Sequence, residues 1–167
     1  MARIAVYAGS FDPPTKGHLW MMEQGAALFD ELVVALAVNP DKKGFLSMRQ
    51  REELLRGMIA KLPSNVSLAV VDDGFLIDFA HECGAGFLLR GLRNTTDFEY
   101  EKSMSRMNVI MEKDIQSVYL MAPSAFEQIS STSVRGFVGV RGWERWAEAC
   151  VPKEVFECIQ SQMKEPS

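Results

Sequence analysis

The chain has 167 residues, of which 47% are hydrophobic, and its formal net charge is −4 at pH 7. This length predicts one compact domain over residues 1–167, and the acidic balance excludes a broad nucleic-acid-binding face. No apolar run approaches the roughly 18 residues of a membrane span, and no signal-peptide core is recognised, so a cytoplasmic protein without membrane contact is expected. The three cysteines, Cys83, Cys150 and Cys158, lack C-x-x-C spacing and predict neither a disulfide framework nor a zinc site.

Strand-like and helix-like segments alternate along the chain, which is typical of α/β folds. Apolar runs predict strands over residues 3–7, 32–38, 66–71, 87–89 and 117–121. Helical patterns separate these strands. Capping boxes are predicted at Ser47 with Gln50 and at Thr96 with Glu99. A further helix is predicted over residues 76–83, and two shorter helices at the end of the chain. We therefore expect a single-domain, Rossmann-like, doubly wound five-stranded parallel sheet with helices on both faces.

The segment between the first strand and the first helix has the composition of a phosphate-binding turn. Residues 9–18 read Gly-Ser-Phe-Asp-Pro-Pro-Thr-Lys-Gly-His. A glycine turn before a helix N-terminus presents backbone N–H groups and the positive end of the helix dipole to an anion. His18 lies in the first helical turn, beside the expected phosphate position, although a lone histidine is more often structural. The spacing matches neither a P-loop nor a G-x-G-x-x-G fingerprint, so a nucleotide site of another kind is predicted.

Basic and hydroxyl side chains also follow three of the other predicted strands. They are Lys42 and Lys43 after the second strand, Arg90 and Arg93 after the fourth, and Ser124 with residues 129–133 after the fifth. Each could be a solvated surface group, and residues 130–133 could be no more than a helix N-cap. Because the carboxyl ends of parallel strands meet at one edge of the sheet, these groups are expected to converge there. The run of backbone N–H groups at residues 130–133 predicts a second helix-start anion site near the first. Two anion sites imply a polyphosphate or two phosphorylated substrates.

The motifs in these segments resemble those of a known superfamily. Thr15-x-Gly17-His18 and residues 129–135 (Ile-Ser-Ser-Thr-Ser-Val-Arg) resemble the (H/T)xGH and ISSTxxR signatures of the nucleotidyltransferases. Within that superfamily, Lys42, residues 90–93 (Arg-Gly-Leu-Arg) and residues 97–101 (Asp-Phe-Glu-Tyr-Glu) resemble the bacterial phosphopantetheine adenylyltransferase family. Two positions depart from that family's pattern, because Ala8 stands where proline is common and Ser10 where threonine is usual.

The resemblance implies an enzyme of coenzyme A biosynthesis that transfers the adenylyl group of ATP to the 4′-phosphate of phosphopantetheine, giving dephospho-coenzyme A and pyrophosphate with Mg²⁺ as cofactor. It implies catalytic roles for His18, Lys42 and Arg90, with His18 stabilising the charge that develops on the α-phosphate. The implied contacts of phosphopantetheine are Ser10, Lys42, Arg90 and Leu76, whose neighbour Ile77 could share its role. The implied contacts of ATP are Ser10, Phe11, His18, Gly91, Leu92, Arg93, Glu101, Phe126, Glu127, Gln128, Ile129, Ser130, Ser131 and Thr132.

In-line attack by a substrate phosphate needs no nucleophilic side chain, which agrees with the lack of a Ser-His-Asp or Cys-His set. The resemblance further implies a homohexamer and feedback inhibition by coenzyme A, and it assigns no magnesium ligand. Two alternatives stay open at this point. One is a nicotinate mononucleotide adenylyltransferase, which shares the first motif and the serine-rich loop, and the other is a nucleotide-binding module without turnover.

Overall fold

A parallel five-stranded sheet forms the centre of the molecule. The computed structural model describes residues 2–37, 44–72, 74–111 and 114–164. In these residues the strand order is β3-β2-β1-β4-β5, and every pairing is parallel. The strands are β1 (Ile4–Gly9), β2 (Glu31–Ala37), β3 (Val66–Val71), β4 (Phe87–Leu92) and β5 (Gln116–Met121). The order reverses between β1 and β4, so the predicted doubly wound fold is confirmed.

Helices connect the strands and complete the C-terminal part. They are α1 (Lys16–Leu28), α2 (Met48–Ile59), α3 (Leu76–Glu82), α4 (Thr95–Met111), α5 (Ser131–Phe137), α6 (Trp143–Cys150) and α7 (Lys153–Lys164). Three helices follow β5 in the described residues, so the prediction of two was wrong. Gly142, with φ of 83°, precedes α6, and Pro152 separates α6 from α7 because it cannot continue a helix. No helix in the described part of the chain is long and apolar enough to cross a membrane.

The helix N-termini test the predicted capping boxes. The box of Ser47 and Gln50 is confirmed at the start of α2. The box of Thr96 and Glu99 is wrong, because α4 already begins at Thr95 and the side chain of Asn94 accepts a hydrogen bond of 2.9 Å from the backbone N–H of Asp97. Asparagine is among the strongest N-cap residues. Because Asn94 caps α4 through the backbone N–H of Asp97, the Asp97 carboxylate is available to another partner.

Alternate residues of the strands point to two core layers, one on each face of the sheet. In β2, Leu32, Val34 and Leu36 pack into the layer that includes buried side chains of α1, α2, α6 and α7. Ala35 packs into the second layer, with Ile77 of α3. Both faces are covered, which explains why β2 reads as a nearly continuous apolar run in the sequence.

The sheet opens at the carboxyl ends of its two central strands. β1 pairs with β4 only at Ala5 with Phe87 and at Val6 with Leu88, although β1 continues to Gly9 and β4 to Leu92. The sequence predicted that the fourth strand ends at residue 89, which was wrong, because pairing with β5 extends it by three residues. Beyond Val6 and Leu88 the two central strands diverge, at the point where ligands bind in folds of this kind.

Candidate active site

A cavity of about 290 Å³ lies where β1 and β4 diverge. Its lining comes from β1, the first turns of α1, the end of β4, α4 and the loop after β5. The lining residues are Tyr7, Ala8, Thr15, Gly17, His18, Trp20, Met21, Arg90, Gly91, Arg93, Glu101, Ala122, Phe126, Ile129, Ser130, Ser131 and Thr132. The structure thus brings ten of the predicted catalytic and ligand-binding residues into one pocket, although the first and the last of them lie more than one hundred residues apart in sequence.

The imidazole of His18 is held through one of its two nitrogens. Thr15 caps α1, and its backbone N–H donates to Nδ1 of His18 at 3.0 Å, while its hydroxyl lies 3.1 Å from the same atom. Burial, with the charge of Arg93 as a second cause, lowers the pKa of His18 to about 4. A neutral imidazole that accepts at Nδ1 carries its proton on Nε2. His18 therefore offers one neutral N–H donor at the start of α1.

Arg93 lies just after β4 and is fixed by α4. Its Nε donates to Asp97 Oδ2 at 3.0 Å and its Nη2 to Asp97 Oδ1 at 3.3 Å. Its backbone N–H also donates to Asp97 Oδ2, at 3.1 Å. This two-pronged contact orients the guanidinium at the rim of the pocket. Asp97 was not singled out as a functional residue, although its spacing of four residues from Arg93 is typical of a helical ion pair.

Arg90 and Glu101 form a second two-pronged ion pair. Arg90 Nε donates to Glu101 Oε2 at 2.8 Å, and Nη2 donates to Oε1 at 2.6 Å. The two side chains are 27% and 13% exposed, so the pair is largely shielded from water. The resemblance assigned these residues to different ligands, whereas here the two groups bind each other and both line the pocket.

The other predicted ligand contacts do not line this cavity or lie outside the described residues. Ser10 is exposed, and the side chain of Phe11 is only 1% exposed, so any ATP contact of Phe11 would be made by its backbone. Ile77 is buried in the core while Leu76 is half-buried, so only Leu76 remains accessible to a ligand. Leu92 is buried, whereas Glu127 and Gln128 are exposed and do not line the cavity. Lys42 lies outside the described residues.

The loop after β5 is attached to the turn after β1. Ser130 is the N-cap of α5 and accepts from the backbone N–H of Ser133 at 2.9 Å, which confirms the N-cap interpretation. Ser131 Oγ donates to the carbonyl of Pro13 at 2.8 Å, and Arg135 donates to the carbonyl of Asp12. The two predicted motifs therefore touch each other directly and form adjoining walls.

Comparisons with known proteins identify the family. A model described as cytidylyltransferase-like matches residues 6–137. Phosphopantetheine adenylyltransferase of Neisseria meningitidis serogroup B (strain MC58) is 44% identical over 96% of this chain and 94% of its own length. The enzyme of Chromobacterium violaceum with the same name is 41% identical over 96% of this chain and 98% of its own. The chain belongs to the phosphopantetheine adenylyltransferase family. It is a nucleotidyltransferase, and the predicted family resemblance is confirmed.

Solved structures show the same fold at lower identity. Plasmodium falciparum nicotinic acid mononucleotide adenylyltransferase, complexed with NaAD, has a TM-score of 0.71 and 17% identity, covering 98% of this chain and 97% of its own. Thermotoga maritima TmcAL, bound with alpha-thio ATP, has a TM-score of 0.70 and 12% identity, covering 98% of this chain and 56% of its own. At such identities the likeness supports the fold alone.

Sequence reasoning missed several residues of this family member's site. Tyr7 lines the pocket, and burial raises the pKa of its phenol, so the hydroxyl stays neutral. Trp20 also lines the pocket and packs against Phe126 at a ring-centroid distance of 6.2 Å. Asp12 and Arg51 are buried beside the turn after β1. Tyr7 lies inside an apolar strand pattern and Trp20 inside a helical one, so neither pattern set them apart from ordinary core residues.

Proposed function

We propose that this chain transfers the adenylyl group of ATP to the 4′-phosphate of phosphopantetheine, yielding dephospho-coenzyme A and pyrophosphate. The observation that carries the proposal is the convergence of a neutral N–H donor on His18 with the guanidinium groups of Arg90 and Arg93 in one cavity. Cationic and neutral hydrogen-bond donors that converge in one cavity suit a reaction between two phosphates, which needs no nucleophilic side chain. The family membership supplies the identity of the two substrates.

ATP is proposed to lie along the start of α1 and the loop after β5. In this arrangement Arg93 and His18 face the phosphates, and Gly91 with residues 126–132 contacts the rest of the nucleotide. The aromatic rings of Trp20 and Phe126 provide an apolar wall at this side of the pocket, which suits a purine base. Phosphopantetheine is proposed to bind next to ATP, through Arg90, Ser10, Leu76 and Lys42.

The chemical step is proposed to be one in-line displacement. An oxygen of the 4′-phosphate forms a bond to the α-phosphorus of ATP, while the bond from that phosphorus to the bridging oxygen breaks and pyrophosphate leaves with the electron pair. The Nε2–H group of His18 donates a hydrogen bond to a non-bridging α-phosphate oxygen as charge develops there. A single preorganised donor of this type contributes roughly 10²- to 10³-fold to the rate of catalysed transfer. No general base is required, because the attacking phosphate is already ionised.

Glu101 is proposed to hold Arg90 in place rather than to bind phosphate itself. A carboxylate repels a phosphate, but it fixes the position of the Arg90 guanidinium, which lines the same cavity. The resemblance assigned Arg90 to phosphopantetheine and Glu101 to ATP, and the ion pair connects these two residues. The ATP contact implied for Glu101 is proposed to involve the ribose or the adenine, through carboxylate lone pairs that do not bind Arg90.

Magnesium is proposed to enter with ATP, bound mainly by phosphate oxygens and water, as is usual for this ion. When bound, it neutralises part of the charge on the triphosphate. In the described residues no group of three or more His, Cys, Asp or Glu side chains is arranged to hold a metal ion. The donors that line the phosphate side of the pocket, His18 Nε2 and the two guanidinium groups, complement phosphate oxygens that the metal leaves uncoordinated.

The test is pyrophosphate release from ATP and Mg²⁺ with two acceptors assayed in parallel. Turnover with phosphopantetheine and none with nicotinate mononucleotide is expected. Turnover with nicotinate mononucleotide alone would refute the assignment of the acceptor, and no release with either would refute the reaction. The likeness to nicotinic acid mononucleotide adenylyltransferase, at 17% identity, does not favour that acceptor.

We also propose a homohexamer in the cytoplasm that coenzyme A inhibits by competition. The hexamer is proposed from the family resemblance, and Phe75, Ile110, Met121 and Trp146 are large apolar side chains that are exposed in the single chain. Coenzyme A shares the pantetheine arm and the adenine of the two substrates, so it suits the same cavity. Light scattering at assay concentration tests the assembly, and inhibition by coenzyme A that added phosphopantetheine does not relieve would refute competition for the acceptor site.

A further inference from the structure

The turn after β1 holds one residue in an unfavourable backbone conformation. Phe11 has φ of 45°, in the left-handed region that residues with a Cβ rarely occupy. Its ring is buried against the imidazole of His18, with ring centroids 5.0 Å apart and an interplanar angle of 73°. The ring fills the space over Gly9, where a Cβ would lie 3.2 Å from it. Such a conformation persists only where the surroundings hold it.

Two buried side chains hold this turn, one on each side of Phe11. Before Phe11, the carbonyl of Ser10 accepts a hydrogen bond of 3.1 Å from Arg51 Nη1. After it, the carboxylate of Asp12 accepts from the backbone N–H groups of Phe45 and Leu46, at 2.8 and 2.7 Å. Asp12 and Arg51 are each only 8% exposed, so these bonds are shielded from water.

Both anchors lead to the same part of the chain. Phe45 and Leu46 immediately precede Ser47, the N-cap of α2, and Arg51 lies in the first turns of that helix. Gly44 allows the chain to pass close to Arg51, because a Cβ there would lie 2.9 Å from Arg51 Nη2 and 2.8 Å from the Leu46 carbonyl oxygen. The start of α2 is thereby fastened to the turn at two points 33 to 41 residues away in sequence.

His18 needs such support because its hydrogen bonds fix only one edge of the ring. Both contacts from Thr15 reach Nδ1, so the imidazole could still tilt about that atom. The edge-on Phe11 ring, with its centroid 5.0 Å from that of the imidazole, lies where it can limit this tilt. A donor that must meet a developing charge loses much of its effect when it is displaced by about 1 Å.

We propose that Arg51 and Asp12 are positioning residues for the transfer step. They hold Phe11 in its left-handed conformation, and the Phe11 ring fixes the plane of the His18 imidazole. The proposal rests on the proposed function, since it assigns His18 to the transition state. A purely structural role would require only that the two buried side chains stabilise the fold.

The experiment compares Arg51→Met and Phe11→Leu with Arg49→Met as the matched control. Arg49 lies on the same helix, is exposed and pairs only locally with Glu53, so its variant is expected to behave like the wild type. Arg51→Met and Phe11→Leu are expected to lower kcat roughly 10- to 100-fold, while the KM values of both substrates change by less than about threefold. Arg51→Lys keeps a donor for the Ser10 carbonyl and is expected to recover part of kcat.

A second readout does not depend on turnover. The ring protons of His18 are followed by NMR in the ligand-free protein, at a temperature where each variant is folded. Loss of the Phe11 ring shifts these resonances, and Arg51→Met is expected to shift them in the same direction. Because this measurement needs no substrate, it separates failure of the positioning proposal from failure of the proposed reaction.

Either of two results would overturn the proposal. One is a folded Arg51→Met protein whose kcat and His18 resonances match those of the control. The other is a loss carried by the KM of ATP with kcat unchanged, which would place Arg51 in ground-state binding. If Arg51→Met does not fold, Phe11→Leu decides, because it leaves both anchors intact, and an unaltered kcat in that variant overturns the proposal as well.

Discussion

The half-buried imidazole of His18 makes the stability of the ligand-free protein depend on pH. Its pKa falls from 6.5 to about 4, first because of burial and second because of the nearby charge of Arg93. The unfolded chain therefore takes up a proton near pH 6.5, whereas the folded chain resists that proton until about pH 4. The stabilisation by neutral His18 is complete above pH 6.5 and is lost as the pH falls through this interval. Between pH 7 and pH 5 the loss amounts to about 2 kcal/mol, at roughly 1.4 kcal/mol per pKa unit.

Urea unfolding of the wild type and of His18→Gln at pH 7, 6 and 5 measures this contribution. Glutamine can take the same capping-box position, as Gln50 does in α2, and any change in the cap of α1 is the same at each pH and cancels when the two slopes are compared. His81 is present in both proteins and cancels likewise. The protein concentration is held constant, because assembly would contribute to apparent stability. We expect the free energy of unfolding to fall by about 2 kcal/mol more in the wild type than in the variant.

Equal slopes in the two proteins would refute the reasoning, since His18 would then titrate alike in the folded and unfolded chains. An NMR titration of the His18 ring gives an independent answer. A midpoint near 4 agrees with the burial and the contact to Thr15, whereas a midpoint near 6.5 would mean that the imidazole is solvated. In that case the assignment of a neutral Nε2 donor at pH 6 would fall with it.

Three further predictions concern the site and the core. His18→Ala is expected to lower kcat about 10²- to 10³-fold with the KM of ATP within about threefold in steady-state assays, and equal losses in both would contradict a transition-state role. Glu101→Gln is expected to lower kcat/KM for phosphopantetheine about tenfold because Arg90 loses its counter-charge, and an unchanged value would contradict the proposed pair. Gly25→Ala is expected to cost about 1–3 kcal/mol in thermal unfolding, because its Cβ would lie 2.8 Å from a leucine of β2. Gly57→Ala, at a helical site with nothing within 4 Å, is expected to add about 0.5–1 kcal/mol, so equal stabilities would contradict the packing argument.

The sheet could be predicted from sequence where the strands are buried on both faces. Residues 66–71 form β3 with the predicted bounds, because a run of apolar residues of strand length has one simple interpretation. The end of β4 was missed because Arg90 and Gly91 interrupt the apolar pattern. Pairing of Arg90 with Tyr119 of β5 keeps these residues in the strand, and no local signal reports a partner 29 residues away.

The start of α4 was mispredicted for a related reason. Two overlapping signals were present, a capping box at Thr96 and an asparagine two residues earlier, and local propensity could not rank them. In the structure Asn94 caps the helix and Asp97 binds Arg93. The helix start that the structure adopts is thus found together with the contact between Asp97 and Arg93 at the candidate site.

The same difference between local and distant information applies to the residues of the candidate site. His18, Arg93 and the serine-rich loop could be predicted because they sit at strand exits or helix starts, where local chemistry marks them. Asp12 and Arg51 could not, since a turn with Asp-Pro-Pro and an arginine on a helix both have ordinary local explanations. Their importance arises only because β1 and the start of α2 meet beside the diverging ends of β1 and β4. The proposed phosphate donor, His18, therefore lies in one short motif, while the proposed control of its direction depends on a residue of another helix, Arg51.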